Sequence, residues 1–173
     1  MSVSTRTQAV LLLTARFSKA SDRDVKPLTI SEWARLVDLL KLKSASPEDL
    51  LVSGVSNALG DFKDRTITAE RLEELLSQGS ALALAVEKWL RAGLWIMTRS
   101  DPDYPRRFKE RLRGTAPPLL FGCGKQGLLN GGGLAVVGSR NAPESELEFT
   151  RMLGQKASQD GFSVVSGGAR GVD

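Results

Sequence analysis

The chain has no histidine and a single cysteine, Cys123. Without histidine, zinc sites built on imidazole and serine or cysteine catalysis with a histidine base are excluded. One cysteine excludes an internal disulfide framework, and Cys123 reads as a small apolar filler in a cytoplasmic protein. No apolar run approaches the ~20 residues of a membrane span. Ala9–Leu13, flanked by Arg6 and Arg16, is too short for a signal peptide and is not followed by a small-residue cleavage site. No carboxylates cluster as a metal site would require. The familiar nucleotide motifs are missing too. Gly131-Gly132-Gly133 precedes its strand, whereas a dinucleotide fingerprint follows one, and Gly122-Cys123-Gly124-Lys125-Gln126 lacks the spacing and the Ser/Thr of a P-loop.

What is present is ordinarily globular: 173 residues, 41% hydrophobic and 25% charged, enough for one medium domain or two small ones. The net charge is +4 and uneven. Residues 1–93 hold 13 basic and 12 acidic side chains, whereas 94–173 hold 11 and 8. Such an excess permits nucleic-acid binding without demonstrating it, and a solvated, slightly basic surface accounts for it equally.

The first half, 1–92, reads as a small all-helical domain. Thr7 to Phe17 has a leucine-rich face. Thr29-Ile30-Ser31-Glu32 fits a capping box opening a helix with Trp33, Leu36, Val37 and Leu40 at helical spacing. Ser46-Pro47-Glu48-Asp49 is a second start signal and Thr68 a third. Gly79 ends that helix, Ser80 restarts the chain, and Gly93 closes the last helix. Gly54-Val55-Ser56 with Ala58-Leu59-Gly60 resembles the interhelical turn of small nucleic-acid-associated helical domains, although a generic turn explains it as well.

After Gly93 the pattern shifts to parallel α/β structure. Leu94–Met97 and Pro117–Gly122 are strand candidates, Arg106–Arg113 is a brief basic helix, and Lys125–Asn130 is a single turn. The chemistry is carried by two apolar runs, Leu134–Val137 and Phe162–Val165. Each opens into a small-residue loop with one arginine: Gly138-Ser139-Arg140, and Ser166-Gly167-Gly168-Ala169-Arg170-Gly171-Val172-Asp173. The stretch between them is helical, with Phe149, Met152, Leu153 and Ala157 expected to be buried along one face. A right-handed parallel crossover sets the second strand beside the first and both loops at one sheet edge, where such folds bind ligands. Glycines there let an anion approach backbone N–H groups, and arginine forks suit phosphate. The plainer alternative is that the glycines serve tight turns and the arginines cover the edge.

Asp103-Tyr104-Pro105, Pro117-Pro118-Leu119-Leu120-Phe121, Val136-Val137-Gly138-Ser139-Arg140 and Val164–Asp173 occur in the order and approximate spacing of the DNA-processing protein A family (DprA/Smf), which the chain resembles over about residues 94–173. The resemblance implies an incomplete Rossmann-like parallel sheet preceded by the small all-helical, SAM-like domain, the sheet continuing past residue 173 in the family. It implies single-stranded DNA binding without a chemical step or cofactor, a RecA-type recombinase as partner during natural transformation, and a homodimer at full length. By motif, Gly138, Ser139, Arg140, Ser166, Gly167, Gly168 and Arg170 would line the pocket, and Tyr104 and Pro105 would be structural. The chain departs from the pattern at Pro143–Glu148, where Glu144, Glu146 and Glu148 suit a helix start but repel phosphate.

Arg106, Lys109 and Arg113 would share one helical face, a shelf for DNA, or they are simply a solvated surface. Two further readings stand beside the first. A nucleotide sensor or LOG-like phosphoribohydrolase of the same superfamily would use the same pocket, the hydrolase needing a Pro-Gly-Gly-x-Gly-Thr segment that does not occur before residue 173. A protein-interaction role in DNA uptake or phage defence would use the helical module.

Overall fold

The computed structural model describes residues 3–17 and 25–173. They form two compact units, one extending to Gln126 and the other Gly127–Asp173.

The first unit is organised around α1 (Thr5–Thr14), capped by Ser4, whose hydroxyl accepts from the Thr7 N–H. The sequence suggests one leucine-rich face; instead every residue from Ala9 to Leu13 is buried. Val10 and Leu13 join an apolar cluster with Leu28, Leu36, Leu59 and Leu72. Leu11 and Leu12 face the other way and join a second cluster with Leu82 and Val86. A helix that is apolar on all sides is stable only inside a core.

The expected capping box opens α2 (Ile30–Leu42). The Thr29 hydroxyl accepts from the Glu32 N–H, and the Glu32 carboxylate accepts from the Thr29 N–H. Next come α3 (Asp49–Val52) and α4 (Val55–Leu59), then α5 (Ala69–Leu76), capped by Thr68, and α6 (Gly79–Arg91). Gly54 enters α4 at φ +85°, a left-handed conformation open to glycine. Gly79, read as a terminator, is the first residue of α6.

β1 (Leu94–Thr98), α7 (Arg106–Leu112) and β2 (Leu119–Cys123) complete this unit. The strands pair antiparallel, with Ile96 opposite Phe121 and Met97 opposite Leu120. Sequence patterning pointed to parallel structure throughout this half. A parallel connection, however, usually carries a helix that packs back on the sheet, and α7 buries none of its residues. Ile96 and Leu119 instead pack against the Leu11–Leu12 cluster.

The second unit is a β-α-β element: β3 (Gly133–Ala135), α8 (Glu144–Gln159) and β4 (Ser163–Val165). β3 and β4 are parallel neighbours, with Leu134 opposite Val164, as the two apolar runs predict. The Val136 N–H donates to Val165 O at 2.9 Å and extends the ladder by one residue. The expected apolar face of α8 is only partly covered. Ala157 is buried and Leu153 half-buried, but Phe149 and Met152 are 67% and 61% exposed. Two three-residue strands are too short to cover more than the C-terminal end of a helix of sixteen residues.

The polar hub of the first unit is a shielded ion pair. Arg71 Nη1 lies 2.7 Å from Glu32 Oε1, and Arg71 also donates to the carbonyls of Lys26, Pro27 and Thr66. The Arg71 hydrogen bond, opposed by burial and helped by Thr29, lowers the Glu32 pKa from its ordinary 4.5 to about 2. A depressed carboxyl pKa stabilises the fold above the ordinary value, and that contribution disappears as pH falls through the folded one. Glu32→Gln is therefore expected to cost on the order of 2 kcal/mol at pH 7. Urea unfolding should show the gap shrinking between pH 4.5 and 2; a gap that stays constant over that range would contradict the assignment.

Candidate nucleic-acid interface

The parallel pairing of β3 with β4 brings their following loops, 136–140 and 166–173, to one edge. The two loops are laced together. The Val172 N–H donates to Ser139 O at 3.1 Å and the Gly138 N–H to Asp173 Oδ1 at 3.0 Å. Within the loops, the Ser166 hydroxyl donates to Asp173 O at 2.8 Å, the Asn141 N–H to Ser139 Oγ at 3.1 Å and the Gly168 N–H to Ser166 Oγ at 3.3 Å.

This lacing decides which groups face a ligand. The Gly138 N–H, expected to meet an anion, is occupied by the Asp173 carboxylate. The glycines provide room for the two loops to meet. A Cβ at Gly138 would lie 2.6 Å from Val172 and one at Gly171 would run into the Ser139 carbonyl, while within the second loop one at Gly167 would lie 2.6 Å from the Asp173 carboxylate. Gly171 also sits at φ +93°, strained for any residue with a side chain. Arg140 and Arg170, both exposed, remain without an ion-pair partner among the described residues.

Both arginines line a crevice of about 500 Å³ between the loops and one side of α8. Asn141, Thr150, Arg151 and Gln155 line it as well, and the sequence reading singled out none of these four. The signal was available: 147, 150, 151, 154 and 155 follow helical periodicity along one face. The acids at the start of α8 do not all stand free. Arg151 Nη1 is 2.8 Å from Glu144 Oε1 and 3.0 Å from Glu148 Oε2, and these two carboxylates raise the Arg151 pKa, Glu144 first.

Charge divides along the chain. Residues 94–126 hold 7 basic and 3 acidic side chains, whereas 127–173 hold 4 and 5. The basic stretch includes α7. Helical spacing would put Arg106, Lys109 and Arg113 on one face, but the helix ends at Leu112. Arg113, at φ +46°, begins a 3-10 turn that runs to Thr115. Lys109 is half-buried, its Nζ 5.5 Å from the centre of the Tyr104 ring. Phe108 is 38% exposed and meets Tyr104 edge-on at 6.3 Å. Tyr104 is buried, donates to Pro117 O at 2.8 Å, and has its pKa raised by burial. These contacts give Tyr104 a structural role, anchoring α7.

A parallel β-α-β element with both loops at its carboxyl edge, and arginines in a crevice there, belongs to the class of units from which Rossmann-like sheets are built. The family profile of DNA recombination-mediator protein A matches residues 95–173. A curated relative, Protein Smf of Synechocystis sp. (strain ATCC 27184 / PCC 6803 / Kazusa), is 36% identical over 84 residues, 45% of this chain and 20% of the relative. Residues 95–173 are thus similar to the DNA recombination-mediator protein A (DprA/Smf) family. The chain spans about a fifth of the length of that relative. No solved structure gives a significant match.

Because Gly171 lets the loops meet, Gly171→Ala should separate them. In amide hydrogen exchange, the Gly138 and Val172 N–H groups should be protected in the parent and lose that protection in the variant, while Leu36 in the helical core stays unchanged. Equal exchange at Gly138 and Val172 in both proteins would show that the lacing does not depend on glycine there.

Proposed function

We propose that this chain binds single-stranded DNA through its sugar–phosphate backbone, without a chemical step, as part of DNA processing. The observation that carries this reading is the pair of arginines, Arg140 and Arg170, without an ion-pair partner among the described residues, in the crevice where the laced loops meet α8. Arginine forks match phosphate geometry, and a backbone contact tolerates any base sequence. The match of residues 95–173 to the family profile of DNA recombination-mediator protein A supports the same reading. In this proposal 1–92 is the helical N-terminal domain and 94–173 is the N-terminal part of the DprA-like domain. Gly138, Ser139, Ser166, Gly167 and Gly168 shape the site and the arginines touch the strand. The partners are a RecA-type recombinase, loaded onto the strand during natural transformation, and a second copy of the full-length protein.

The basic stretch around α7 adds long-range attraction. An exposed helix with Arg106, Arg107 and Arg111, and with Phe108 half-open for stacking, suits a flexible polyanion. Lys109 and Arg113 contribute charge to this shelf, although the chain geometry takes Arg113 out of the helical face.

The test is binding of a labelled poly-pyrimidine strand, in competition with mononucleotides, over a salt series. The strand should bind and mononucleotides should compete poorly; the reverse order would favour a nucleotide sensor. Arg140→Ala should weaken binding and flatten the log–log salt slope by about 0.7, one phosphate contact on a single strand. An unchanged slope would make Arg140 a structural residue.

Replacing Arg106, Lys109 and Arg113 together by Gln should lower affinity at low salt, with most of the difference gone at high salt. A triple variant that binds like the parent at low salt would remove α7 from the interface.

A further inference from the structure

We propose that Arg151 is a third phosphate contact of the crevice and that Glu144 and Glu148 set its strength by competing with the strand for it. This inference rests on the reading of the crevice as a strand-binding site. Arg151 lines the crevice together with Arg140 and Arg170. It lies on α8, a sixteen-residue helix, whereas the other two arginines lie on the loops. Phosphates bound between them would be gripped from both sides.

The ion-pair geometry leaves Arg151 able to do this. Both carboxylates are bound through the same nitrogen, Nη1. The other guanidinium donors have no partner among the described residues and keep a fork open for a phosphate. The three side chains are 60%, 76% and 62% exposed for Arg151, Glu144 and Glu148. Pairs this exposed are weakly held and screened by salt, so a phosphate already anchored by Arg140 and Arg170 can displace them.

The charges near the crevice also balance. Arg140, Arg151 and Arg170 stand against Glu144, Glu148 and Asp173. A nearly neutral crevice attracts a single small anion poorly. A strand brings several phosphates at once, and its neighbouring contacts deliver one of them next to Arg151 at high effective concentration. Glu144 and Glu148 thereby act as a threshold that favours polyanions over free phosphate groups.

The experiment is a binding cycle on the 173-residue chain with a fluorescent oligothymidylate. The variants are Arg151→Gln, Glu144→Gln with Glu148→Gln, all three together, and Glu146→Gln as a charge control. Circular dichroism should confirm the helix content of each.

Arg151→Gln should weaken binding about three- to tenfold at low salt and flatten the salt slope by about 0.7. The double glutamine variant should bind at least threefold tighter when Arg151 is present and gain little when it is Gln, and Glu146→Gln should raise affinity by less per charge removed than the double variant does. An equal gain with and without Arg151, or an equal gain per charge removed from Glu146→Gln, would reduce the effect to net charge and overturn the inference. An Arg151→Gln variant that binds like the parent would also overturn it. Arg140→Ala separates the two levels. If it weakens binding while Arg151→Gln does not, only this inference fails. If it leaves binding unchanged, or if the parent binds no strand, the reading of the crevice fails and this inference falls with it.

Discussion

The Gly138 N–H reaches the carboxylate of Asp173 at 3.0 Å, and the character of the candidate site follows from that contact. It becomes possible only because β3 and β4 are parallel neighbours, which directs both following loops to the same edge. Together with the Val172–Ser139 bond it commits backbone donors that would otherwise face an anion. In the proposed reading, a site that uses its own carboxylate to satisfy its backbone attracts phosphate with side chains, here Arg140 and Arg170. The same contact accounts for the glycine density. Residues at 138 and 171 have no space for a side chain because the partner loop is already there, and one at 167 would meet Asp173 of its own loop.

The two units are stabilised by different means. The first is a dense apolar core threaded by α1, with a shielded Glu32–Arg71 pair tying α2 to α5 and to the carbonyls of Lys26 and Pro27. The second buries little: among its apolar side chains only Ala157 is in the buried class, while Val137, Phe149, Met152, Phe162, Val164 and Val165 are exposed. Its order rests more on hydrogen bonding, through the short parallel ladder and the loop lacing. The net positive charge lies mainly in 94–126 and the arginine-lined crevice in 127–173. In the proposed reading, attraction and positioning fall to different segments, in keeping with the separation of long-range steering from specific contact.

Local chemistry was the most legible part of the sequence. Thr29 with Glu32, and Thr68, announced helix starts through hydroxyl and carboxylate groups that act within a few residues, and the structure has both. The apolar runs at 134–137 and 162–165 announced parallel neighbours because two short apolar strands joined through a helix and followed by glycine loops admit few other arrangements. Long-range partners were harder to read. Nothing local told β1 and β2 to pair antiparallel; that depends on Ile96 and Leu119 finding the Leu11–Leu12 cluster far away in sequence. The α8 face was misjudged at Phe149 and Met152 because hydrophobic spacing reports what a helix offers, while burial depends on how much sheet lies beneath it. Arg140 and Arg170, singled out by their loop motifs, line the same crevice, whereas Arg151, which also lines it, sits in no motif and is preceded in sequence by glutamates that include the two paired with it. Those glutamates were read as repelling phosphate, but two of the three are held by Arg151.

The most direct test of the account is a map of backbone amide chemical shifts as an unlabelled oligothymidylate is titrated into the isotopically labelled 173-residue protein. The account predicts saturable shifts concentrated at residues 138–141 and 166–173 and along the 147–155 face of α8, with weaker, salt-sensitive shifts in 106–113. Saturable shifts confined to the helical unit, with residues 138–141 and 166–173 unmoved, would contradict it.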